Sequence, residues 1–288
     1  MSTKPSIAVI GLGNLGAVLA GTLAAEGHPT TVWNRTAAKA DGPVAKGATL
    51  AATPAEAVRA SELVIVCVLD YDAAREILMP VADDLRGRVV LNLGTGTPDP
   101  ARELAAWTTS RGADYLDGAV YAVPQTIATP EAFILYSGAA AAYEKYRPHL
   151  EILAVGSFVG SDPGLASVYD LALLSGMYGM FAGFFQAVAL GSAAGVPAVE
   201  ITGLLVRWLT AVTPALGGFA EEVDAADYRT ETSNLAINAV GLANILGATE
   251  AQGLSTDLLK PLQALFDDQI AQGHGAASLA RAVESLKP

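Results

Sequence analysis

The feature that most constrains this 288-residue chain is one long apolar stretch, residues 165–194, which contains no proline and a single charged residue, Asp170. Polar residues and a proline precede it at 161–164, and a glycine and a proline follow it at 195–197, as is usual where helices begin and end. A continuous helix of this length would be about 45 Å long. Because it is apolar nearly all round, it must be covered on most sides, by other parts of the chain or by a second subunit.

The same stretch is long enough to cross a bilayer, since residues 171–194 carry no charge and residues 179–183 form a GxxxG pattern. However, four glycines and the polar residues Ser175, Gln186 and Ser192 interrupt it, and no Lys/Arg clusters flank it. We therefore expect a helix buried between domains or subunits and no membrane partner.

Composition narrows the remaining choices. Hydrophobic residues make up 52% of the chain and charged residues only 16%, which favours an oligomer, and the net charge of −12 argues against a nucleic-acid partner. A single cysteine, Cys67, and three histidines give little support to a metal centre, a disulfide or a Ser-His-Asp triad. No signal peptide precedes the first apolar strand, so we expect a cytoplasmic protein.

A glycine-rich turn lies between the first apolar run, residues 6–10, and a helical segment, residues 17–26. In this strand–turn–helix context the pattern GxGxxG predicts a dinucleotide site, with the pyrophosphate at the helix N-terminus. The residues of the turn are Gly11, Leu12, Gly13, Asn14, Leu15 and Gly16.

The end of the second strand, residues 30–33, indicates which dinucleotide binds. An NAD site usually carries an acidic residue there, but this chain has Asn34, Arg35 and Thr36, with Lys39 one turn later. A guanidinium, a hydroxyl and an amine suit the 2′-phosphate of NADPH. The sequence therefore predicts NADPH rather than NADH.

Strands and helices continue to alternate through the first half of the chain. Further strands are predicted at 63–69, 89–93, 115–120 and 132–136, and helices at 103–111 and 139–153, before residues 156–160 close the domain. Because ligands bind at the carboxyl ends of parallel strands, Leu69, Asn92 and Thr95 are cofactor candidates, whereas Asp70 is either a candidate or only a helix cap. Beyond the long helix the pattern is entirely helical, at 199–213, 234–252, 257–272 and 276–286. We predict an α/β Rossmann domain (1–160), an interdomain helix (161–195) and an all-α domain (196–288).

Two polar residues on the long helix, Asp170 and Tyr178, are candidate catalytic groups. They are eight residues apart and so lie on roughly the same side of the helix, with Leu174 between them. A buried aspartate could give a proton to a substrate nitrogen, and an ionised one could stabilise an iminium ion. A purely structural role remains open for each residue: Asp170 as a carboxylate at the helix start, and Tyr178 as an aromatic side chain that fills space.

The overall pattern resembles the β-hydroxyacid dehydrogenase superfamily, with its N-terminal GLGNLG, long helix and helical C-terminal domain like that of 6-phosphogluconate dehydrogenase. In the acid dehydrogenases the long helix carries a proton-donating lysine. Here Asp170 takes that position, and Asp117-Gly-Ala-Val-Tyr-Ala-Val-Pro124 replaces the D-x-P-V-S-G-G segment. A carboxylate would repel an acid substrate, so these departures argue against a hydroxyacid dehydrogenase.

The chain resembles instead the imine reductases and reductive aminases along essentially its whole length. The motifs that carry the resemblance are GLGNLG, NRT at 34–36, NLGTGTP at 92–98, DGAVYAVP at 117–124, ILYSG at 134–138, and the Asp170/Tyr178 pair. The resemblance implies NADPH-dependent reduction of cyclic imines or iminium ions to amines, by a homodimer that exchanges its C-terminal helical domains. Aspartate at position 170 is typical of the (R)-selective type.

The resemblance also implies a set of substrate-binding positions, some of which depart from relatives. Tyr121 replaces a commonly aliphatic residue, Asn238 replaces a histidine or glutamine, and Gly94 replaces a hydroxyl residue. The implied set is Tyr121, Val123, Leu174, Met177, Trp208 and Asn238. There are two alternatives. One is a carbonyl or β-hydroxyacid dehydrogenase of the same superfamily, and the other is a non-catalytic NADPH-binding protein.

Overall fold

The structure, a computed structural model, describes residues 4–287. They form two compact units that divide after Leu174, inside the long helix. The first unit contains a sheet with helices, and the second is helical. This confirms the predicted fold class of an α/β Rossmann unit followed by a helical C-terminal unit, whereas the exact three-part division at 160 and 195 stays a prediction.

The first unit is built on an eight-stranded sheet. Its strands are β1 (Ile7–Ile10), β2 (Thr30–Trp33), β3 (Thr49–Leu50), β4 (Leu63–Val66), β5 (Val89–Asn92), β6 (Asp114–Tyr121), β7 (Phe133–Gly138) and β8 (Val155–Gly160). They are ordered β3-β2-β1-β4-β5-β6-β7-β8, and only the β6–β7 pair is antiparallel. The order reverses between β1 and β4, which is where a crevice opens at the carboxyl ends of a doubly wound sheet.

The apolar runs of the central strands explain why the sheet lies in the middle of this unit. Successive side chains of a strand point to opposite faces. Accordingly Ile7 and Val9 belong to one buried cluster, and Ala8 and Ile10 belong to the other. The sheet is therefore covered on both faces, as continuous apolar strands predict.

Six α-helices cover the sheet. They are α1 (Asn14–Ala25), α2 (Asp41–Ala45), α3 (Pro54–Arg59), α4 (Tyr71–Leu78), α5 (Pro98–Ser110) and α6 (Ala140–Leu150). Asp70 caps α4, because its carboxylate accepts a hydrogen bond from the Ala73 amide at 2.9 Å. The predicted strand at 63–69 ends at Val66, since the chain then turns toward this cap. The small elements between residues 37 and 59, and strand β8, were not predicted.

The long helix, α7, spans Leu165–Ala193, close to the predicted 165–194. Hydrogen bonds from Arg102 to Asp162, and others made by Ser137, join the start of α7 to the rest of the first unit. The Arg102 guanidinium contacts both carboxylate oxygens of Asp162, and Asp162 accepts from the Gly164 amide at 3.0 Å. Ser137 Oγ accepts from the Ala166 amide at 3.0 Å and donates to the Pro163 carbonyl.

By length and composition alone, α7 could cross a membrane, and the bent pair of helices that follows it could form a second span. The chain itself leaves several large apolar side chains of α7 exposed, among them Tyr169, Leu173 and Phe185. The sequence predicted that other parts of the chain or a second subunit would cover this helix. Among residues 4–287, other parts of the chain do not cover these side chains.

The second unit consists of helices α8 (Ala198–Val212), α9 (Ala215–Ala225), α10 (Leu235–Ala251) and α11 (Lys260–Ala271). Helix α9 was not predicted: Pro214 and two adjacent glycines obscure it, yet proline is well tolerated at a helix N-terminus. The predicted helix at 276–286 was wrong in type, since Leu279–Leu286 forms a 3₁₀-helix. A small core around Leu235, Leu242 and Phe266 holds α10, α11 and this segment together.

Candidate active site

The glycine turn is shaped by contacts that exclude side chains at two of its three glycines. Gly11 has φ +94°, and a Cβ there would lie 2.3 Å from the Cys67 carbonyl oxygen. A Cβ on Gly16 would lie 2.0 Å from the Gly11 carbonyl oxygen. A Cβ on Gly13 would meet no atom within 4 Å, so the space beside Gly13 is open to a ligand. Helix α1 begins at Asn14 with no side-chain cap and no acidic residue in its first turn, so its N-terminus suits a pyrophosphate.

The segment after β2 supplies the polar side of the same cleft. Asn34 Oδ1 accepts from the Leu12 amide at 2.9 Å, and its Nδ2 donates to the Thr36 carbonyl at 3.0 Å. Asn34 therefore joins the glycine turn to the Arg35 loop. The Arg35 side chain is largely exposed, and its one charged contact among residues 4–287 is a long one, 3.9 Å, with the exposed Glu76. A guanidinium held so loosely remains able to take a phosphate.

These elements enclose a cleft of about 650 Å³, within the range of small-molecule sites. It brings together all the predicted cofactor residues except Leu12 and Asn92: Gly11, Gly13, Asn14, Leu15, Gly16, Asn34, Arg35, Thr36, Lys39, Leu69 and Thr95. Leu12 lines a neighbouring cavity with Lys39 and Gln125, and Asn92 is fully buried beneath the cleft. The glycine cradle, the free helix end and the cationic loop together fit NADPH.

Several residues of the cleft were not predicted because they are apolar. They are Trp33, Val68, Ala73, Ile77 and Leu93, which line it together with Cys67. Burial raises the pKa of the Cys67 thiol to about 11. It therefore contributes a neutral side chain to this wall.

A second, smaller cavity of about 100 Å³ adjoins the cleft, and Leu15, Leu93 and Thr95 line both. Asp117, Ser167 and Asp170 supply its acidic and hydroxyl groups. Ser167 and Asp170 are three residues apart on α7 and so face the same side. The predicted catalytic carboxyl therefore lies in a cavity that shares a wall with the cofactor cleft.

The Asp170 carboxyl is nearly buried, with 9% of the residue exposed. Burial raises its pKa, and interaction with the Tyr121 hydroxyl lowers it in part. Tyr121 stacks on Phe133 of the neighbouring strand, with ring centroids 4.5 Å apart. Its hydroxyl is buried without a hydrogen bond of ordinary geometry among residues 4–287, and burial together with the charge of Asp170 raises its pKa to about 12. The two groups form a coupled pair.

One buried carboxylate near the site, Asp117, accepts hydrogen bonds from four side chains and was not predicted as a site residue. Asp117, on β6, has 2% of its surface exposed and accepts hydrogen bonds from Tyr71, Asn92, Tyr115 and Ser167. Burial raises its pKa to about 6, although each of these donors lowers it. The signals in the sequence were its place at the start of the motif at 117–124 and a carboxylate inside an apolar strand.

The other predicted substrate residues are more dispersed. Val123 is exposed in the loop after β6, and Leu174 is the last residue of the first unit. Met177, Tyr178, Trp208 and Asn238 belong to the second unit, where Tyr178 and Trp208 are exposed. Asn238 Nδ2 donates to Ser233 Oγ and to the Asn234 carbonyl, both at 2.8 Å. Their substrate roles stay predictions. Among residues 4–287, no group of three or more His, Cys, Asp or Glu side chains could hold a metal ion.

Family models match both parts of the chain. Residues 6–160 match the NAD binding domain of 6-phosphogluconate dehydrogenase, and residues 162–288 match the C-terminal domain of NADPH-dependent reductive aminase-like proteins.

Similar proteins cover the chain almost completely. An NADPH-dependent reductive aminase of Aspergillus oryzae is 40% identical over 98% of this chain and 97% of its own length. The structure of a reductive aminase from Aspergillus terreus, in complex with NADPH and ethyl-5-oxohexanoate, is 42% identical and superposes with a TM-score of 0.94, covering 99% and 100% of the two chains. An imine reductase from Myxococcus stipitatus in complex with NADP+ is 34% identical, with a TM-score of 0.93 and coverage of 98% and 100%.

The predicted cofactor and enzyme class are thereby confirmed together with the resemblance that the motifs carry. The chain belongs to the reductive aminase and imine reductase family of NADPH-dependent oxidoreductases.

Proposed function

We propose that this protein reduces cyclic imines or iminium ions to amines. The observation that carries the proposal is the place of the Asp170 carboxyl, in a small cavity that shares Leu15, Leu93 and Thr95 with the cofactor cleft. When bound, NADPH supplies the hydride. A substrate in the small cavity would thus lie between the cofactor and an acidic group, which suits a C=N bond whose nitrogen gains a proton.

The chain's own residues hold the cofactor in two places. The open space beside Gly13 and the uncapped N-terminus of α1 would receive the pyrophosphate. Arg35, Thr36 and Lys39 would bind the 2′-phosphate through charge-assisted hydrogen bonds.

Asp170 would act on the substrate nitrogen in one of two protonation states. Burial raises its pKa, which keeps a larger fraction of the acid protonated near neutral pH and able to donate. In its ionised form it would stabilise a cationic iminium ion. A lysine at this position would serve a hydroxyacid instead, so the aspartate favours a nitrogen-containing substrate.

The remainder of the substrate site is also a proposal. Tyr121 and Val123 would contribute from the first unit, and Leu174, Met177, Tyr178, Trp208 and Asn238 from α7 and the second unit. Tyr178 would donate a hydrogen bond to the amine or anchor it. The aspartate at 170 supports assignment to the (R)-selective type.

We further propose a cytoplasmic homodimer in which the C-terminal helical domains are exchanged, so that both subunits build each active cleft. The exposed apolar side chains of α7 and α8 support this, since Leu173, Phe185, Leu204 and Trp208 would otherwise face water.

The first test combines purified protein and NADPH with 1-pyrroline-type cyclic imines and follows NADPH oxidation. We expect imine-dependent oxidation that falls by about a hundredfold or more in Asp170→Ala and Asp170→Asn. NADPH affinity, measured by fluorescence, should remain, because Asp170 does not line the cofactor cleft. Asp114→Asn, an exposed carboxylate at the other end of β6, is the control and should keep its activity.

Two outcomes would contradict the proposal. One is NADPH binding without turnover of any imine by the wild-type protein. The other is oxidation of a hydroxyacid with NADP+ in preference to imine reduction, which would mean that the carboxyl at 170 does not exclude acid substrates.

A further inference from the structure

A buried network centred on Asp117 connects four elements beneath the proposed active site. Asp117 Oδ1 accepts from Tyr115 at 2.8 Å and from Asn92 Nδ2 at 3.2 Å. Asp117 Oδ2 accepts from Tyr71 at 2.9 Å and from Ser167 at 3.3 Å. The Tyr71 and Ser167 hydroxyls are also 2.8 Å apart. The network therefore joins the start of α4, the end of β5, strand β6 and the first turn of α7.

The chemistry of the network favours an ionised carboxylate at its centre. A carboxylate only accepts hydrogen bonds and offers about four lone-pair sites, which matches the four donors present. A protonated acid would bring one more donor into a place where donors already converge. Such a buried polar group is stabilising only when its partners are satisfied, so the network specifies one arrangement of the four elements.

Two of the four donors belong to parts of the chain that form the proposed site. Ser167 lies one turn before Asp170 on α7, and both line the small cavity with Asp117. Asn92 directly precedes the segment at 93–95, whose residues line both cavities. Because Asn92 Nδ2 is bonded to Asp117, the amide orientation is fixed, and Asn92 Oδ1 is left buried without a partner among residues 4–287.

We propose that Asp117 is a positioning residue, whose ionised carboxylate holds Asn92 and the first turn of α7 in place and thereby fixes Asp170 at the cavity. The inference rests on the proposed function, because the reaction that Asp170 serves is itself proposed. Asp117 acts through Asn92 and Ser167, and we expect its effect mainly on the catalytic step, since Asp117 itself does not line the cofactor cleft.

This arrangement makes the network sensitive to pH. Tyr71 and Tyr115 face Asp117 directly, and Asp170 is the other carboxylate on the cavity, itself adjoined by Tyr121. Burial raises the pKa of Asp117 to about 6. As the pH falls through that value, Asp117 gains a proton, one acceptor of the network is lost, and we expect kcat to fall.

The main variant is Asp117→Asn in the full-length protein, which keeps the size of the side chain but adds a donor. We expect kcat for imine reduction to fall by about tenfold to a hundredfold, because small displacements of reacting groups reduce rates by such factors. NADPH affinity should change less than kcat does, because Asp117 itself does not line the cofactor cleft. Hydrogen exchange in peptides covering residues 163–174 should become faster, because the first turn of α7 loses its tie to the sheet.

Tyr115→Phe distinguishes positioning from a merely structural role. Tyr115 donates to Asp117, and this bond lowers the pKa of the carboxyl. Removing it should therefore raise that pKa and move the acid limb of the kcat profile to higher pH, while the carboxylate remains. Leu150→Ala, a buried truncation on α6, is the control for lost stability and should move neither the limb nor exchange at 163–174.

The results separate the two proposals. If the wild-type protein reduces imines but Asp117→Asn keeps its kcat, or if Tyr115→Phe leaves the acid limb in place, Asp117 is not a positioning residue. If the wild-type protein reduces no imine, the proposed function fails, and the exchange measurement alone then decides whether Asp117 holds the start of α7. Unchanged exchange at 163–174 in Asp117→Asn would overturn the inference in either case.

Discussion

The Asp170 carboxyl and the Tyr121 hydroxyl lie close enough for each to change the pKa of the other. Burial raises the pKa of Asp170, and the hydroxyl partly offsets that rise. The same proximity, together with burial, raises the pKa of Tyr121 to about 12, so the phenol stays protonated at any working pH. Tyr121 therefore gives this chain a means of adjusting the pKa of Asp170.

Removing this hydroxyl should change the pH dependence of the reaction. In Tyr121→Phe the pKa of Asp170 should rise, because the group that stabilises its ionised form is gone. We therefore expect the inflection that belongs to Asp170 in the kcat/KM profile to move to higher pH. The profile itself distinguishes the two roles of Asp170, since a proton donor loses activity above this inflection and a counter-ion loses it below.

Tyr136→Phe is the matched control for that measurement. Tyr136 also carries a buried hydroxyl without a hydrogen-bond partner among residues 4–287, but it lies on β7 in the core, outside both cavities. Its profile should match that of the wild type. An unchanged inflection in Tyr121→Phe would show that the hydroxyl does not act on Asp170.

Some residues of the site can be predicted from the sequence and others cannot. Gly11, Gly13 and Gly16 follow from a local pattern, since the turn and the helix it opens are contiguous. The Asp117 network does not, because its partners Tyr71 and Ser167 are 46 and 50 residues away along the chain. Nothing in the local sequence shows that three hydroxyls and an amide converge on one carboxylate.

At the scale of elements, hydrogen bonds between Arg102 of α5 and Asp162, just before α7, hold the start of α7 in place. Asp162 accepts two hydrogen bonds from Arg102 of α5, at 2.8 and 3.0 Å, and one from the Gly164 amide. Arg102 and this amide lower the pKa of Asp162 to about 2. The contribution to stability is therefore present above the ordinary carboxyl pKa of about 4 and is lost as the pH falls toward 2.

The variant Asp162→Asn should destabilise the fold modestly. Because the Asp162 side chain is 41% exposed, solvent screens the pair, and we expect a loss of about 0.5–1 kcal/mol at pH 7. The difference from the wild type should shrink when urea unfolding is repeated at pH 3. Asp99→Asn removes the other, more exposed carboxylate bonded to Arg102, and we expect a smaller loss. A difference for Asp162→Asn that grows at pH 3 would contradict this assignment.

Element prediction succeeded where a pattern is long and failed where it is short or broken. The ends of α7 were predicted within one residue, because 29 mostly apolar positions without a proline lie between clear start and stop signals. Strand β8 was not predicted because it contains Gly156 and Gly160 and none of its residues is fully buried. It forms because β7 offers a parallel partner, which local composition cannot reveal.

At the scale of the whole molecule, the main question is what covers the apolar surface of α7 and α8. Besides the exposed large side chains, a Cβ on Gly176, Gly179 or Gly183 would meet no atom within 4 Å. These glycines share one side of the helix and form a surface on which another chain could pack closely. The proposed exchange of helical domains would bury this surface and would account for a composition that is 52% hydrophobic.

Phe185→Glu tests this directly. Light scattering after size exclusion should give twice the mass of one chain for the wild type and a smaller mass for the variant, because a charge buried in an apolar interface without a partner costs several kcal/mol. Imine reduction should fall with the loss of the dimer, since the proposed cleft uses both subunits. Met79→Glu is the matched control: both residues are 58% exposed, but Met79 lies in the first unit, in the segment that follows α4, and its variant should remain dimeric and active. A wild-type protein that is monomeric and fully active would exclude the exchanged dimer, and an unchanged mass for Phe185→Glu would place the interface elsewhere.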